Sequence, residues 1–192
     1  MKINGKPGIV CIIADKQNMG KSTLANYLVE KHRFVRVSIA DPLKKSLITI
    51  LRPVLGERRA QRFVWEAKDE VIPELRVTAR ELLVGGGNGY CGVCPDIFLR
   101  VAMSQSRAYN ESGLNVVVDD VRKTYEAHGF STDGAFFIRV VRPANDVEPS
   151  PFEGQLKGYP AHDMLIDSEP GDHTLMHHLA DTLMKGLDYD PD

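Results

Sequence analysis

Ile9-Val10-Cys11-Ile12-Ile13-Ala14-Asp15-Lys16-Gln17-Asn18-Met19-Gly20-Lys21-Ser22-Thr23 is the stretch whose reading decides the fold. Ile9 to Ala14 is a continuous apolar run rich in β-branched residues, the composition of a strand covered on both faces in a parallel sheet. From Ser22 to Lys31, Leu24, Tyr27 and Leu28 recur at helical spacing. Between strand and helix lies a turn ending in Gly20-Lys21-Ser22, the form of a phosphate-binding loop. The unpaired amides of a helix start point at anions, and the helix dipole favours negative charge there. On this reading the backbone of Asn18, Met19, Gly20, Lys21, Ser22 and Thr23 faces the donor phosphates. Lys21 reaches the β- and γ-phosphates, and the Ser22 hydroxyl ligates Mg²⁺. The first glycine of the usual pattern is Asp15 here. A strand, turn and helix with a chance Gly-Lys-Ser is the plainer alternative.

Working outward, Phe34 to Ile39 is a second strand, giving the β-loop-α-β opening of a doubly wound fold. Asp41-Pro42 is a helix start, with aspartate as cap, and that helix is expected to end at Pro53. A polar helix follows from Glu57 to Glu70, carrying Arg58, Arg59, Arg62 and Trp65. Thr78 to Val84 reads as a short helix stopped by Gly85-Gly86-Gly87-Asn88-Gly89, and Pro95 opens a helix to about Tyr109. Leu114–Val118, Ala135–Val141 and Met164–Ile166 are further strands. Pro143 to Pro160 is a surface excursion, and Thr174 to Leu187 a closing amphipathic helix. The alternation predicts a three-layer α/β/α fold with about five parallel strands. It is one domain over 1–192 with a helical insertion at approximately 41–112.

A chain of 192 residues is long enough for one good core and too short for two comfortable domains. The formal charge of −2 supplies no global field to draw nucleic acid or an anionic membrane, and neither is an expected partner. No apolar run reaches the length of a membrane span, and the short lysine-bearing start reads as leading into a first strand. Three cysteines, an odd number, suggest no disulfide framework, so the cytoplasm is expected.

Several later segments, taken in order, carry a resemblance. They are Ser38-Ile39-Ala40-Asp41-Pro42-Leu43-Lys44, Thr78-Ala79-Arg80-Glu81-Leu82-Leu83, Pro95-Asp96-Ile97-Phe98, Val118-Asp119-Asp120-Val121-Arg122 with Glu126-Ala127, and Phe137-Ile138-Arg139-Val140-Val141-Arg142-Pro143. With the loop in front of them, the chain resembles the phage-type deoxynucleoside monophosphate kinases. The resemblance implies a P-loop kinase fold, ATP and Mg²⁺ as cofactors, and a small nucleotide as substrate. For a phage-borne chain the cytoplasm would be the host's.

Residue by residue, the resemblance makes Lys21, Asp41 and Arg122 catalytic. Asp41 stands near the acceptor hydroxyl or metal-bound water. Lys44, Arg80, Asp120 and Arg122 join Asp41 around the acceptor, since a guanidinium fork matches phosphate oxygens. Ser22 and Asp120 would hold the metal, and Arg142 would lie against the donor base. Asp41 and Asp120 are equally read as helix-cap or turn residues, and the arginines as surface ion pairs. The family's Leu-Gly-Thr segment is the glycine run here. Its histidine segment is not recognisable near Ser150 to Glu153, where Glu153 alone could correspond.

Cys91-Gly92-Val93-Cys94 has redox or half-zinc spacing but lacks a second ligand pair. His173 and His177, four apart with His178 adjacent, read as an ordinary solvent face. Another small-molecule kinase, such as one resembling dephospho-coenzyme A kinase, and a degenerate nucleotide- or protein-binding module remain alternatives. Whether the chain forms a homodimer is left open.

Overall fold

The run Ile9 to Ile13 is apolar at every position, and all five residues are buried, so the strand they form must be sandwiched. A computed structural model describes residues 2–3, 6–143, 155–168 and 171–187. After β1 (Lys2–Ile3) and β2 (Lys6–Pro7) come β3 (Ile9–Ile13), α1 (Lys21–His32) and β4 (Val35–Val37). Next are α2 (Asp41–Leu55), α3 (Glu57–Trp65), β5 (Val71–Ile72), β6 (Val77–Thr78), α4 (Ala79–Val93) and α5 (Ile97–Glu111). Then follow β7 (Val116–Val118), α6 (Thr124–Thr132), β8 (Phe136–Val141), β9 (His162–Leu165) and α7 (Thr174–Gly186). Most of the expected excursion between Pro143 and Pro160, with Glu153, lies outside the described residues.

Five parallel strands form the main sheet in the order β4-β7-β3-β8-β9, with β3 in the middle. Strand parity sets the two faces. Val10 and Ile12 of β3, Val117 of β7, and Ile138 and Val140 of β8 share one core with Leu24 and Leu28 of α1 and Met176, Ala180 and Met184 of α7. Cys11 and Ile13 point the other way, and α6 packs against β3. This is the three-layer α/β/α architecture that the strand and helix pattern predicts. Burying each large aliphatic side chain on these faces contributes about 1.5–3 kcal/mol.

Helices α1 and α7 are also joined by polar contacts. Tyr27 Oη donates to Asp181 Oδ1 at 2.9 Å, and His32 Nε2 lies 2.8 Å from the same oxygen. Burial alone would raise the Asp181 carboxyl, but the hydrogen bonds from Tyr27 and His32 outweigh it and hold the group below the usual carboxylate value. His177 does not sit on a bare solvent face, as its spacing suggests. Its ring stacks on Tyr27 with centroids 3.9 Å apart and planes 7° from parallel.

The chain divides into two compact units, residues 1–38 with 102–192, and residues 39–101. In the second, Leu47, Leu51 and Leu55 of α2 meet Ala60, Phe63 and Val64 of α3, with Ile72 and Ala79 beside them. Three local expectations change here. Helix α2 runs through Pro53 to Leu55, because Pro53 falls in the last turn, where it removes one backbone hydrogen bond while Leu55 keeps its place in the core. The polar helix stops at Trp65, and the residues behind it form an antiparallel hairpin in which Val71 pairs with Thr78. The glycine run does not break α4, which continues to Val93.

A capping box explains the last result. The Thr78 hydroxyl accepts from the Glu81 amide at 3.1 Å, and Glu81 Oε2 accepts from the Thr78 amide at 2.7 Å, fixing the first turn. A Cβ on Gly87 would come within 3.2 Å of Leu43, so there the bare backbone serves packing. Gly85, Gly89 and Gly92 face open space, and they weaken the helix without any such return. Replacing these three with alanine is therefore expected to stabilise α4 by about 0.4–1 kcal/mol per site. Slower amide hydrogen exchange along 85–93 and a higher melting temperature are the measurements; unchanged exchange would contradict the account.

Candidate phosphate-binding site

Sheet order determines where a ligand crevice can form. From β3 the chain passes through α1 to β4, two places to one side. From the neighbouring β7 it passes through α6 to β8, two places to the other. The connections of adjacent strands thus diverge at the carboxyl ends of β3 and β7, a topological switch point where open α/β sheets bind ligands. Residues 14–20 leave β3 at this point, and residues 119–123 leave β7.

The first of these loops is shaped by left-handed backbone at Asn18, φ 58°, and at the α1 N-cap Gly20, φ 98°. Asparagine tolerates that region, and glycine adopts it freely. A Cβ on Gly20 would also come within 2.7 Å of the terminal methyl of Met176, so α7 lies directly against the loop here. Helix α1 has no side-chain hydrogen bond at its cap and no acidic residue in its own first turn. Lys21 is its first residue, followed by Ser22 and Thr23. Arg142, which the resemblance places against the donor base, lies along the loop. Its Nε donates to the Met19 carbonyl at 3.2 Å and its Nη1 to the Ser168 carbonyl at 3.3 Å.

The second loop meets the first through Asp119. Ser22 Oγ donates to Asp119 Oδ2 at 2.8 Å. Arg36 clamps the same carboxylate in a fork, Nε to Oδ1 at 2.8 Å and Nη2 to Oδ2 at 2.6 Å, and its Nη1 donates to Asn26 of α1. Asp119 is only 5% exposed. Its neighbour Asp120, to which the resemblance assigns the metal, accepts from Ser38 Oγ at 2.7 Å. Strand parity accounts for the difference: Val117 faces the α1 core, so Asp119, two residues on, projects to the same side and Asp120 does not. Arg36 stands opposite Val117 in register and so shares that face. Read from sequence, Asp120 is chosen and Asp119 missed; period-two alternation carried past the end of the strand is the signal that could have found it, whereas Arg36 needs the register.

Arg122 is exposed, and its backbone N–H is held by Glu126 Oε2 at 2.8 Å. Asp41 leads α2 at its first position and not as a bonded cap, since the cap residue is Ala40 with no side-chain hydrogen bond. Lys44 Nζ lies 3.8 Å from Asp41 and 4.5 Å over the Trp65 ring. Arg80 is engaged by Asp69 in a two-pronged pair, with Nη2 to Oδ2 at 2.9 Å; that bond to Arg80 is the main reason the Asp69 carboxyl lies below its usual value. Arg59 and Arg62 are likewise paired, with Glu74 and Glu70 at 2.7 Å.

Cys11 is fully buried, and burial, then the Asp120 charge, push its thiol well above the ordinary value, which makes it inert. Cys91 and Cys94 are both free thiols. Among the described residues no cluster of three His, Cys, Asp or Glu could hold a metal by itself, and no helix is long and apolar enough to cross a membrane.

No family model matches the chain, and no curated protein matches it. Among solved structures, a sugar kinase from a Janibacter species superposes with a TM-score of 0.48 at 12% identity, over 96% of this chain and 96% of the other. A protein from Thermus thermophilus does so with a TM-score of 0.46 at 15% identity, over 94% and 98% of the two chains. Likenesses this distant assign neither activity nor substrate.

Asp119 accepts hydrogen bonds from both Arg36 and Ser22, so Asp119→Ala strands donors that lie against a buried position. The expected cost is about 2–3 kcal/mol, against about 1 kcal/mol for Ser22→Ala. Urea denaturation of the two variants measures the difference.

Proposed function

We propose that the protein transfers a phosphoryl group from ATP, with Mg²⁺, to a nucleoside monophosphate, giving ADP and a nucleoside diphosphate. The observation that carries this reading is the Ser22–Asp119 hydrogen bond at the sheet's switch point. It joins a serine on the first turn of an uncapped helix to a buried carboxylate. Phosphoryl transfer is mainly positioning plus neutralisation of charge, and these parts supply both.

In this reading the amides from Asn18 to Thr23 hold the donor phosphates, and Lys21 adds a point charge against the transferring group. Mg²⁺ prefers a few oxygen ligands together with water and substrate phosphate, and a hydroxyl beside a carboxylate fits that preference. Ser22 Oγ and Asp119 would hold it there, with Asp120 in the next position of the loop. Held there, Mg²⁺ would supply positive charge against the donor phosphates. Arg142 serves the donor side indirectly, fixing the Met19 carbonyl and thereby the loop.

The acceptor assignment rests on the resemblance carried by residues 38–44, 78–83, 95–98 and 118–122. Asp41, Lys44 and Arg122 remain its proposed contacts. Arg122 is exposed, so its guanidinium is open to a ligand in solution. Arg80 must leave Asp69 before it can meet a phosphate, so it contributes less to this reading.

A coupled ADP-release assay across deoxynucleoside and ribonucleoside monophosphates and dephospho-coenzyme A tests the proposal. Turnover is expected with at least one monophosphate, and Lys21→Ala is expected to lower kcat/KM by about a hundredfold or more. Release with dephospho-coenzyme A alone would replace the acceptor class. ATP·Mg²⁺ binding in a calorimeter without turnover on any acceptor would reduce the protein to a binding module.

A further inference from the structure

Asp15 occupies the place where the phosphate-loop pattern has its first glycine, and nothing in the proposed chemistry uses it. A side-chain carboxylate on a loop that would hold polyphosphate is a like charge at close range. Strand parity turns it away. Ala14 joins the α1 core with Ile12, so Asp15 follows Ile13 to the opposite face. Arg139 of β8 stands opposite Ile13 in register and therefore projects to that same face.

The two side chains meet there, with Arg139 Nε 3.5 Å from Asp15 Oδ1. Both atoms are buried and neither has a hydrogen-bond partner, so the contact is one of charge. The Arg139 side chain is 12% exposed, and that of Asp15 36%. The rest of the guanidinium is fixed: Nη2 donates to the carbonyls of Leu156 and Tyr159, each at 2.8 Å, and Nη1 lies 3.5 Å from Asp163. Arg139 is thus held from three directions in the one orientation that faces residue 15.

We propose that Arg139 is a positioning residue for the donor site: it neutralises Asp15 and holds it off the mouth of α1, which lets the phosphate loop begin with an acidic residue. The inference rests on the donor reading above. Without the guanidinium, the Asp15 charge is uncompensated and acts directly on the bound phosphates. With glycine at position 15, Arg139 has no charge to neutralise in the loop and, among the described residues, faces only the carboxylate of Asp163 of β9.

A double-mutant cycle separates this from a structural role, with ATP·Mg²⁺ affinity read by calorimetry and folding by circular dichroism. Arg139→Met is expected to weaken ATP about tenfold with Asp15 present and less than about threefold in the Asp15→Gly background. Equal losses in both backgrounds would overturn the proposal, because Arg139 would then act through Leu156 and Tyr159 alone. Should Arg139→Met fail to fold, Arg139→Lys carries the test. It keeps the charge and is expected to bind within about threefold of the parent, and a tenfold loss would refute the charge argument. A parent protein that binds no ATP at all would sink the donor reading itself, whereas a parent that binds and an Arg139→Met that binds equally would sink only this inference.

Discussion

The structure around the crevice depends on one buried carboxylate. Asp119 leaves the end of β7 on the face occupied by α1, and two elements close on it: α1 through Ser22, and β4 through Arg36, which also donates to Asn26 of α1. A carboxylate at 5% exposure is tolerated only with its charge met and its oxygens hydrogen-bonded; Arg36 meets the charge, and Arg36 and Ser22 together supply three hydrogen bonds. The same contact fixes the first turn of α1 relative to the sheet. Loop and helix are therefore held in one arrangement.

A second constraint works at the other end of the loop. Arg142 draws the Met19 carbonyl toward the Ser168 carbonyl, while Met176 of α7 fills the space beside Gly20. Tyr27, His32 and Asp181 then lock α7 to α1 further along. The loop is held by side chains from β8 and α7 as well as by its own backbone. Arg139 of β8 and Arg142 just past its end, three residues apart, contact the loop's two ends in different ways.

Much of the layout was legible in the sequence, for physical reasons that can be named. Uniformly apolar runs such as Ile9–Ile13 have only one comfortable environment, so the central strands could be read directly. The glycine run misled because composition speaks for backbone freedom, while the capping box at Thr78 and Glu81 is worth a whole first turn. The hairpin at residues 71–78 was hidden because its strands are only two residues long and too short to show alternation. At the candidate site, residue types were readable and partners were not. Asp119 and Asp120 look alike in the sequence, and only parity carried across the end of β7 separates them. Arg80 as a phosphate ligand and Arg80 as Asp69's partner require the same side chain, and the choice depends on a tertiary contact.

The main sheet also ends on both sides in a way that bears on solubility during folding. Its rims are β4, with three residues, and β9, with four, whereas β8 beside the centre has six. Arg36 stands on one rim, and Asp163, with His162 next to it, on the other. Short, charged rims are poor templates for strands of another molecule. A parallel sheet assembles from distant parts of the chain and leaves its edges unpaired for longer than a hairpin does. Brevity and charge at the margins are what keep those unfinished edges from recruiting a neighbour.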